Sequence, residues 1–279
     1  MRLDDLRQTE NVDDRRGAFG GFGGRMALGG GGLGLVGVIV VSLLLGVDPG
    51  QLLNGAPPET VQDGAAPHSD DAAFQFARKI VGSAEDVWSP ILKARGVAFA
   101  PATITVYDYA TQTGCGQGLS SAGPFYCPNE SHIYLDLSFF NQLAEQFGAP
   151  GQFAQAYVIA HEYGHHIQNL VGTMAGDTEE GAAGATGRSV RVELQADCYA
   201  GVWAFHANRQ FKILEQGDVD DGLRAAASVG DDTLQKQTQG YVVPDSFTHG
   251  SSAQRMRWFK RGLAQGDMDQ CDTFSAGAL

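Results

Sequence analysis

Residues 161–165 read His-Glu-Tyr-Gly-His, and a second acidic pair, Glu193 and Asp197, follows within Glu-Leu-Gln-Ala-Asp. On a helix, His161 and His165 lie four positions apart and share one face, about one turn from each other. Two imidazoles so spaced can both reach one Zn²⁺ at about 2.0–2.1 Å. Glu162 projects about 100° further round, beside the metal rather than onto it. From there a carboxylate can take a proton from an activated water. A catalytic zinc site also needs a third protein ligand and one open position. Glu193 is the natural third ligand. Asp197, one turn on, is placed to accept the free ring N–H of His161 or His165, which fixes the tautomer and makes the imidazole a better ligand. The pattern implies a zinc hydrolase, with a peptidase as the first reading.

Two helices must position these groups. Gln152–Ala160 leads into the histidine motif without a Gly or Pro, and strong helix formers and apolar residues fill it. Pro150, Gly151 and Gly172 punctuate its ends. Ser189 to Asn208 reads as a second, largely buried helix carrying Glu193 and Asp197 among Val192, Leu194, Ala196, Tyr199 and Ala200. Buried carboxylates in such company are costly unless paired or bound to a metal. Upstream, Phe74–Trp88 reads as a helix with Phe76, Ile80 and Val87 toward the core, closed by Pro90. Thr103–Tyr109 and Ser131–Leu137 alternate like strands. The fold class expected is α+β, mostly helical with a small β-sheet.

With 279 residues, 43% of them hydrophobic, the chain can form one substantial core plus an appendage. The net charge of −13 argues against a nucleic-acid partner, because neutralising phosphate needs a basic face. Residues 26–47 form a run of 22 without a charge, long enough at about 1.5 Å per residue to cross a bilayer of about 30 Å. Arg15, Arg16 and Arg25 precede the run and Asp48 follows it. The positive-inside rule then places the N-terminus in the cytoplasm. The organisation expected is a cytoplasmic tail over 1–25, one transmembrane anchor over 26–47, a Pro/Gly/Ala-rich linker over 48–71, and a catalytic domain over 72–279 in the periplasm or outside the cell. Cys115, Cys127, Cys198 and Cys271 all fall in that exported part, none in a CxxC pair. Four cysteines allow three pairings. Cys115–Cys127 with Cys198–Cys271 is the reading taken for an oxidising compartment, and a buried free Cys198 thiol is the alternative.

The chain resembles the neutral zinc metallopeptidase family of bacterial membrane-anchored proteins. The likeness rests on the opening Met-Arg-Leu-Asp-Asp-Leu-Arg, the glycine-rich run, Gly123-Pro-Phe-Tyr-Cys-Pro and Tyr134-Leu-Asp-Leu-Ser-Phe-Phe. It continues through His161-Glu-Tyr-Gly-His-His-Ile-Gln and Glu193-Leu-Gln-Ala-Asp-Cys to Phe247-Thr-His-Gly-Ser-Ser-Ala-Gln-Arg. More distantly, it is similar to the zincins whose third ligand is a glutamate. That likeness implies a zincin-like fold, Zn²⁺ as cofactor and endopeptidase activity on protein or peptide substrates. It also implies a strand edge that pairs with an extended substrate, for which Ile133–Leu137 is the candidate, and an oxyanion donor away from the metal. His249 is the candidate donor, Tyr241 the runner-up, and Arg255 a brace for the loop. An ordinary role for His249 beside a helix cap near Ser251–Ser252 is the competing reading. His166 points away from the ligand face. Residues 173–188, rich in Gly, Ala and Thr, are a candidate lid. The sequence sets no oligomeric state. The alternative to catalysis is a zinc-stabilised envelope binding domain, against which Glu162 counts, since a purely structural site needs no base beside the metal.

Overall fold

The structure, a computed structural model, describes residues 1–17, 71–174 and 183–279. Its strands are β1 (Val12–Asp14), β2 (Thr103–Val106), β3 (Ala110–Thr113), β4 (Gly116–Leu119), β5 (Phe125–Cys127) and β6 (His132–Leu135). The helices among these residues are α1 (Ala72–Ala94), α2 (Phe139–Glu145), α3 (Gln152–Leu170), α4 (Arg188–Phe211), α5 (Asp218–Ser228), α6 (Asp231–Gln239) and α7 (Ser252–Gln265). The α+β class expected from the sequence is therefore what forms.

Helix α3 is the centre of the molecule. It packs on α4, α5 and α1 and touches β5 and β6, so it is buried from Phe153 to Gln168 apart from Gln155. Helix α4 in turn lies along α7. Helix α1 does not stop at Pro90 but runs through it to Ala94. A proline there forfeits the bond to the Asp86 carbonyl and crowds that carbonyl with its ring. Trp88 and Leu92, one turn apart and both fully buried, hold the last turn against the core.

The main sheet has the order β1-β2-β6-β5, with β1, β2 and β6 parallel and β5 antiparallel to β6. Both longer strands end earlier than their alternation predicts. Asp136 accepts from the backbone N–H of Tyr109 at 3.0 Å and of Ser138 at 2.8 Å, which diverts those groups from the ladder. A β3–β4 hairpin sits apart, and Cys115–Cys127 ties its turn to β5. Cys198–Cys271 is also formed, so both expected pairings are present. The expectation that Ile133–Leu137 offers a free edge is corrected, because β6 is bonded on both sides, in register Ile104↔Ile133 and Tyr126↔Ile133. The outer strand on that side is β5, only three residues long and set between Pro124 and Pro128, too short to read from alternation.

The single-pass topology is overturned by residues 1–17. An anchor over 26–47 would put them across a bilayer from residues 72–279. Instead β1 pairs with β2 in register Val12↔Ile104 to Asp14↔Val106. Buried Glu85 on α1 accepts from Arg7 Nη2 at 2.7 Å, Thr9 Oγ1 at 2.6 Å and Asn11 Nδ2 at 2.8 Å. At Gly82 the arm crosses α1 so closely that a Cβ would lie 2.5 Å from the Arg7 carbonyl oxygen. Residues 1–17 thus belong to the same body as 72–279 and are no separate cytoplasmic tail. No helix among the described residues is long and apolar enough to cross a membrane. The expected anchor, and the linker up to residue 70, lie outside the described residues.

Deleting residues 1–17 should destabilise the protein strongly. Leu6, 5% exposed, contributes about 2 kcal/mol by burial, and Glu85 loses every hydrogen-bond partner named above, at about 1–3 kcal/mol. A fall in melting temperature of roughly 10 °C is expected by calorimetry. A deletion that melts with the full chain would refute the integral role of the arm.

Candidate active site

His161 and His165 project from α3 and Glu193 from α4, where the two helices cross at Gly164. A Cβ at residue 164 would stand 2.9 Å from the Ala196 carbonyl oxygen, so only glycine lets the helices approach this far. The approach brings His161 Nε2 to 3.1 Å from Glu193 Oε2 and His165 Nε2 to 3.5 Å from Glu193 Oε1. All three ligand atoms lie within 4.8 Å of one another. Ligands at about 2.0–2.1 Å from a tetrahedral zinc stand roughly 3.3 Å apart, so this donor set fits such an ion with little movement. Burial opposes a charge on Glu193, but the facing imidazoles outweigh it and hold the carboxyl well below its usual range.

The far ring nitrogens are both committed. His161 Nδ1 donates to Asp197 Oδ1 at 2.8 Å, which settles which histidine Asp197 serves, and His165 Nδ1 donates to Gln168 Oε1 at 2.8 Å. Each ring therefore presents Nε2 to the ligand position. Burial works against a proton on His161, yet Asp197 and Glu193 push that imidazole up to about 10. Arg255 does not brace the C-terminal loop. It reaches from α7 to pair with Asp197, Nε to Oδ2 at 2.8 Å and Nη2 to Oδ1 at 2.9 Å, and it also donates to the Tyr157 hydroxyl at 3.2 Å. Tyr157 in turn donates to Asp197.

Glu162, His249 and the three candidate ligands line one cleft of about 780 Å³. Its apolar lining includes Phe125, Phe139, Phe147, Val158, Val192 and Leu234. Glu162 is 8% exposed and accepts no hydrogen bond from the described residues, and burial raises its carboxyl above the usual value. His249 is half exposed and held by Asp231 at the start of α6. Asp231 Oδ2 accepts from the backbone N–H of Thr248, His249 and Gly250 at 2.7–2.9 Å, and its Oδ1 lies 3.4 Å from His249 Nδ1. Tyr241 is 63% exposed and is not among the residues lining the cleft. His166 is buried between the Tyr126 hydroxyl at 3.0 Å and the Ala100 carbonyl at 2.7 Å. Of the candidate lid, residues 175–182 lie outside the described residues.

The family described as "Putative neutral zinc metallopeptidase" matches residues 1–274 of this sequence. The chain belongs to that family. It is 45% identical to the uncharacterized protein YpfJ of Escherichia coli K12 over 285 residues, 98% of this chain and 99% of that protein. It is 44% identical to the uncharacterized protein Rv2575 of Mycobacterium tuberculosis H37Rv over 259 residues, 85% of this chain and 86% of that one. No solved structure matches it. In this member of the zinc metallopeptidase family the sequence reading missed Gln168, Gln195 and Asp231. Gln168 carried a usable signal, since it follows His165 by three residues and so shares its side of the helix. Asp231 carried none, being one acid among many in an acidic chain.

Proposed function

We propose that this chain is a zinc-dependent endopeptidase of zincin-like fold, with His161, His165 and Glu193 as ligands and Glu162 as general base. The observation that carries the reading is Glu162, a residue 8% exposed whose carboxylate has no hydrogen-bond partner among the described residues, beside a His-His-Glu cluster that opens on a cleft. A structural metal site has no use for the one, and a surface helix would not bury the other. Zinc bound there supplies a Lewis acid for the substrate carbonyl and lowers the pKa of a coordinated water toward roughly 7. Glu162 accepts the proton of the attacking water and returns it to the leaving amine. His249, oriented by Asp231, donates from Nε2 to the developing oxyanion. Asp197 and Gln168 keep both ligand rings in the productive tautomer. Strand β5, with Phe125 and Tyr126 in the cleft wall, supports an extended substrate pairing along that edge.

The test uses the full chain. Metal analysis should find one zinc per molecule, and the protein should cleave an unfolded substrate such as casein, lose that activity to a chelator and regain it with zinc. Folded protein that takes up no zinc would sink the reading. His249→Ala should retain zinc and lower turnover about 10²–10³-fold. Near-normal turnover with full zinc would instead leave His249 as a support for the helix cap at Ser251, whose side chain accepts from Gln254 N–H.

A further inference from the structure

The two histidines are anchored differently. His161 leans on a charged group, Asp197, whereas His165 leans on a neutral amide that is itself one link in a longer chain. Gln168 is fully buried, and its Oε1 is committed to His165 Nδ1. Its Nε2 donates to the Val192 carbonyl at 2.8 Å and to Gln195 Oε1 at 3.0 Å. Gln195, 6% exposed, passes the polarity on, its Nε2 donating to the Cys271 carbonyl at 3.1 Å. Donors and acceptors alternate along this relay, so neither amide can flip without leaving a buried polar atom unpaired.

The far end of the relay is held covalently. Cys271 closes a 3-10 turn, Met268–Cys271, and is bonded to Cys198, three residues beyond Gln195 on α4 and next to Asp197. The segment that follows lies back along α4. Thr273 Oγ1 donates to the Arg191 carbonyl at 2.7 Å, and Arg191 Nη1 donates to the carbonyls of Thr273, Phe274 and Ala276. The carbonyl that receives Gln195 is therefore positioned by the disulfide on one side and by Arg191 on the other.

We infer that Gln168 and Gln195 are positioning residues that tie the ring orientation of His165 to the disulfide-held segment 268–276, so that metal affinity depends on the Cys198–Cys271 bond. The inference rests on the zinc site proposed above. Without the disulfide the Cys271 carbonyl is held to α4 only through the Arg191 contacts of the residues that follow it, and the Gln195 amide no longer meets a fixed acceptor in a dry environment. Gln195 then turns to find another, Gln168 keeps only the Val192 carbonyl of its two acceptors, and the amide that orients His165 is held less firmly. Loss of a group that orients a metal-bound histidine typically weakens binding about 10–100-fold.

The measurement is zinc affinity of the full chain, by competition with a chromophoric chelator, alongside melting of the metal-free protein. Gln168→Leu and Gln195→Leu should each lower affinity about 10-fold or more. The double variant should bind no more weakly than Gln168→Leu, because Gln195 acts through Gln168. Cys198→Ser/Cys271→Ser should match Gln195→Leu in affinity, and adding Gln195→Leu to it should change nothing further. A purely structural role would move the melting temperature and leave affinity alone. Gln195→Leu with wild-type affinity, or additive losses at the two glutamines, would overturn the inference while leaving the zinc site standing. A wild-type chain that binds no zinc would overturn both. Should the serine variant fail to fold, the glutamine pair alone decides.

Discussion

Glu162→Gln is expected to abolish hydrolysis, bind zinc as the wild type does, and melt higher than the wild type when metal-free. The amide has the volume of the carboxylate, and Glu162 accepts no hydrogen bond from the described residues, so the exchange breaks none. What it removes is the proton acceptor. General base catalysis contributes about 10²–10⁴-fold, so kcat on a fluorogenic peptide should fall by that factor, equivalent to about 3–5 kcal/mol of barrier. The stability gain follows from the sign of the pKa shift. Burial raises the Glu162 carboxyl, so the folded chain holds that proton more tightly than the unfolded chain does. Folding is therefore penalised at pH above the raised value, and a neutral amide removes the penalty. Glu162 must be ionised to accept a proton, so kcat/KM should fall on the acid side as its carboxyl takes one up. Wild-type turnover in the glutamine variant would exclude Glu162 as base. Turnover lost together with zinc would point to a ligand role instead.

The His161, His165 and Glu193 cluster was legible because it depends on local periodicity. Two histidines at i and i+4, and Glu193 with Asp197 at the same spacing, announce one face each of two helices whatever else the chain does. Their meeting depends on Gly164, whose reason is the backbone of another helix and so cannot be read from its neighbours in sequence. The N-terminal arm was hidden for the same reason. Val12–Asp14 is too short to alternate, and Arg15 and Arg16 just after it read as flanking charge before an apolar run. Its pairing with β2 and the bonds from Arg7, Thr9 and Asn11 to Glu85, more than 70 positions away, show that the arm is structural. The relay from His165 to Cys271 combines both cases. Its first step, Gln168, is local; its last joins residues 76 positions apart, and nothing but the fold brings them together.

Arg255→Met is expected to be among the most destabilising single changes in the molecule. Asp197 is fully buried, and its charge is balanced by the Arg255 guanidinium on one side and His161 on the other. Burial pushes the Asp197 carboxyl up, and those two cations hold it below 3.8. A depressed acid contributes stability that is present above its unfolded pKa of about 3.9 and lost as pH falls through the lower folded value. Removing the guanidinium leaves a buried carboxylate with one partner fewer, a change that typically costs about 3–5 kcal/mol. In a chain this long, a fall in melting temperature of roughly 10 °C at pH 7 follows. The acid midpoint of unfolding should also move up, because one of the two cations that lower the Asp197 carboxyl is gone. Asp197→Leu should be comparably harmful, since it strands the guanidinium instead. The double variant Asp197→Leu/Arg255→Met carries neither buried charge and should be less destabilised than the two losses added together. It should still bind zinc more weakly than the wild type, for His161 Nδ1 then has no carboxylate to hold its ring. Stability and metal affinity would thus separate in one set of variants. Single variants that melt within about 2 °C of the wild type would show that this ion pair is not what holds α7 against the His161, His165 and Glu193 cluster.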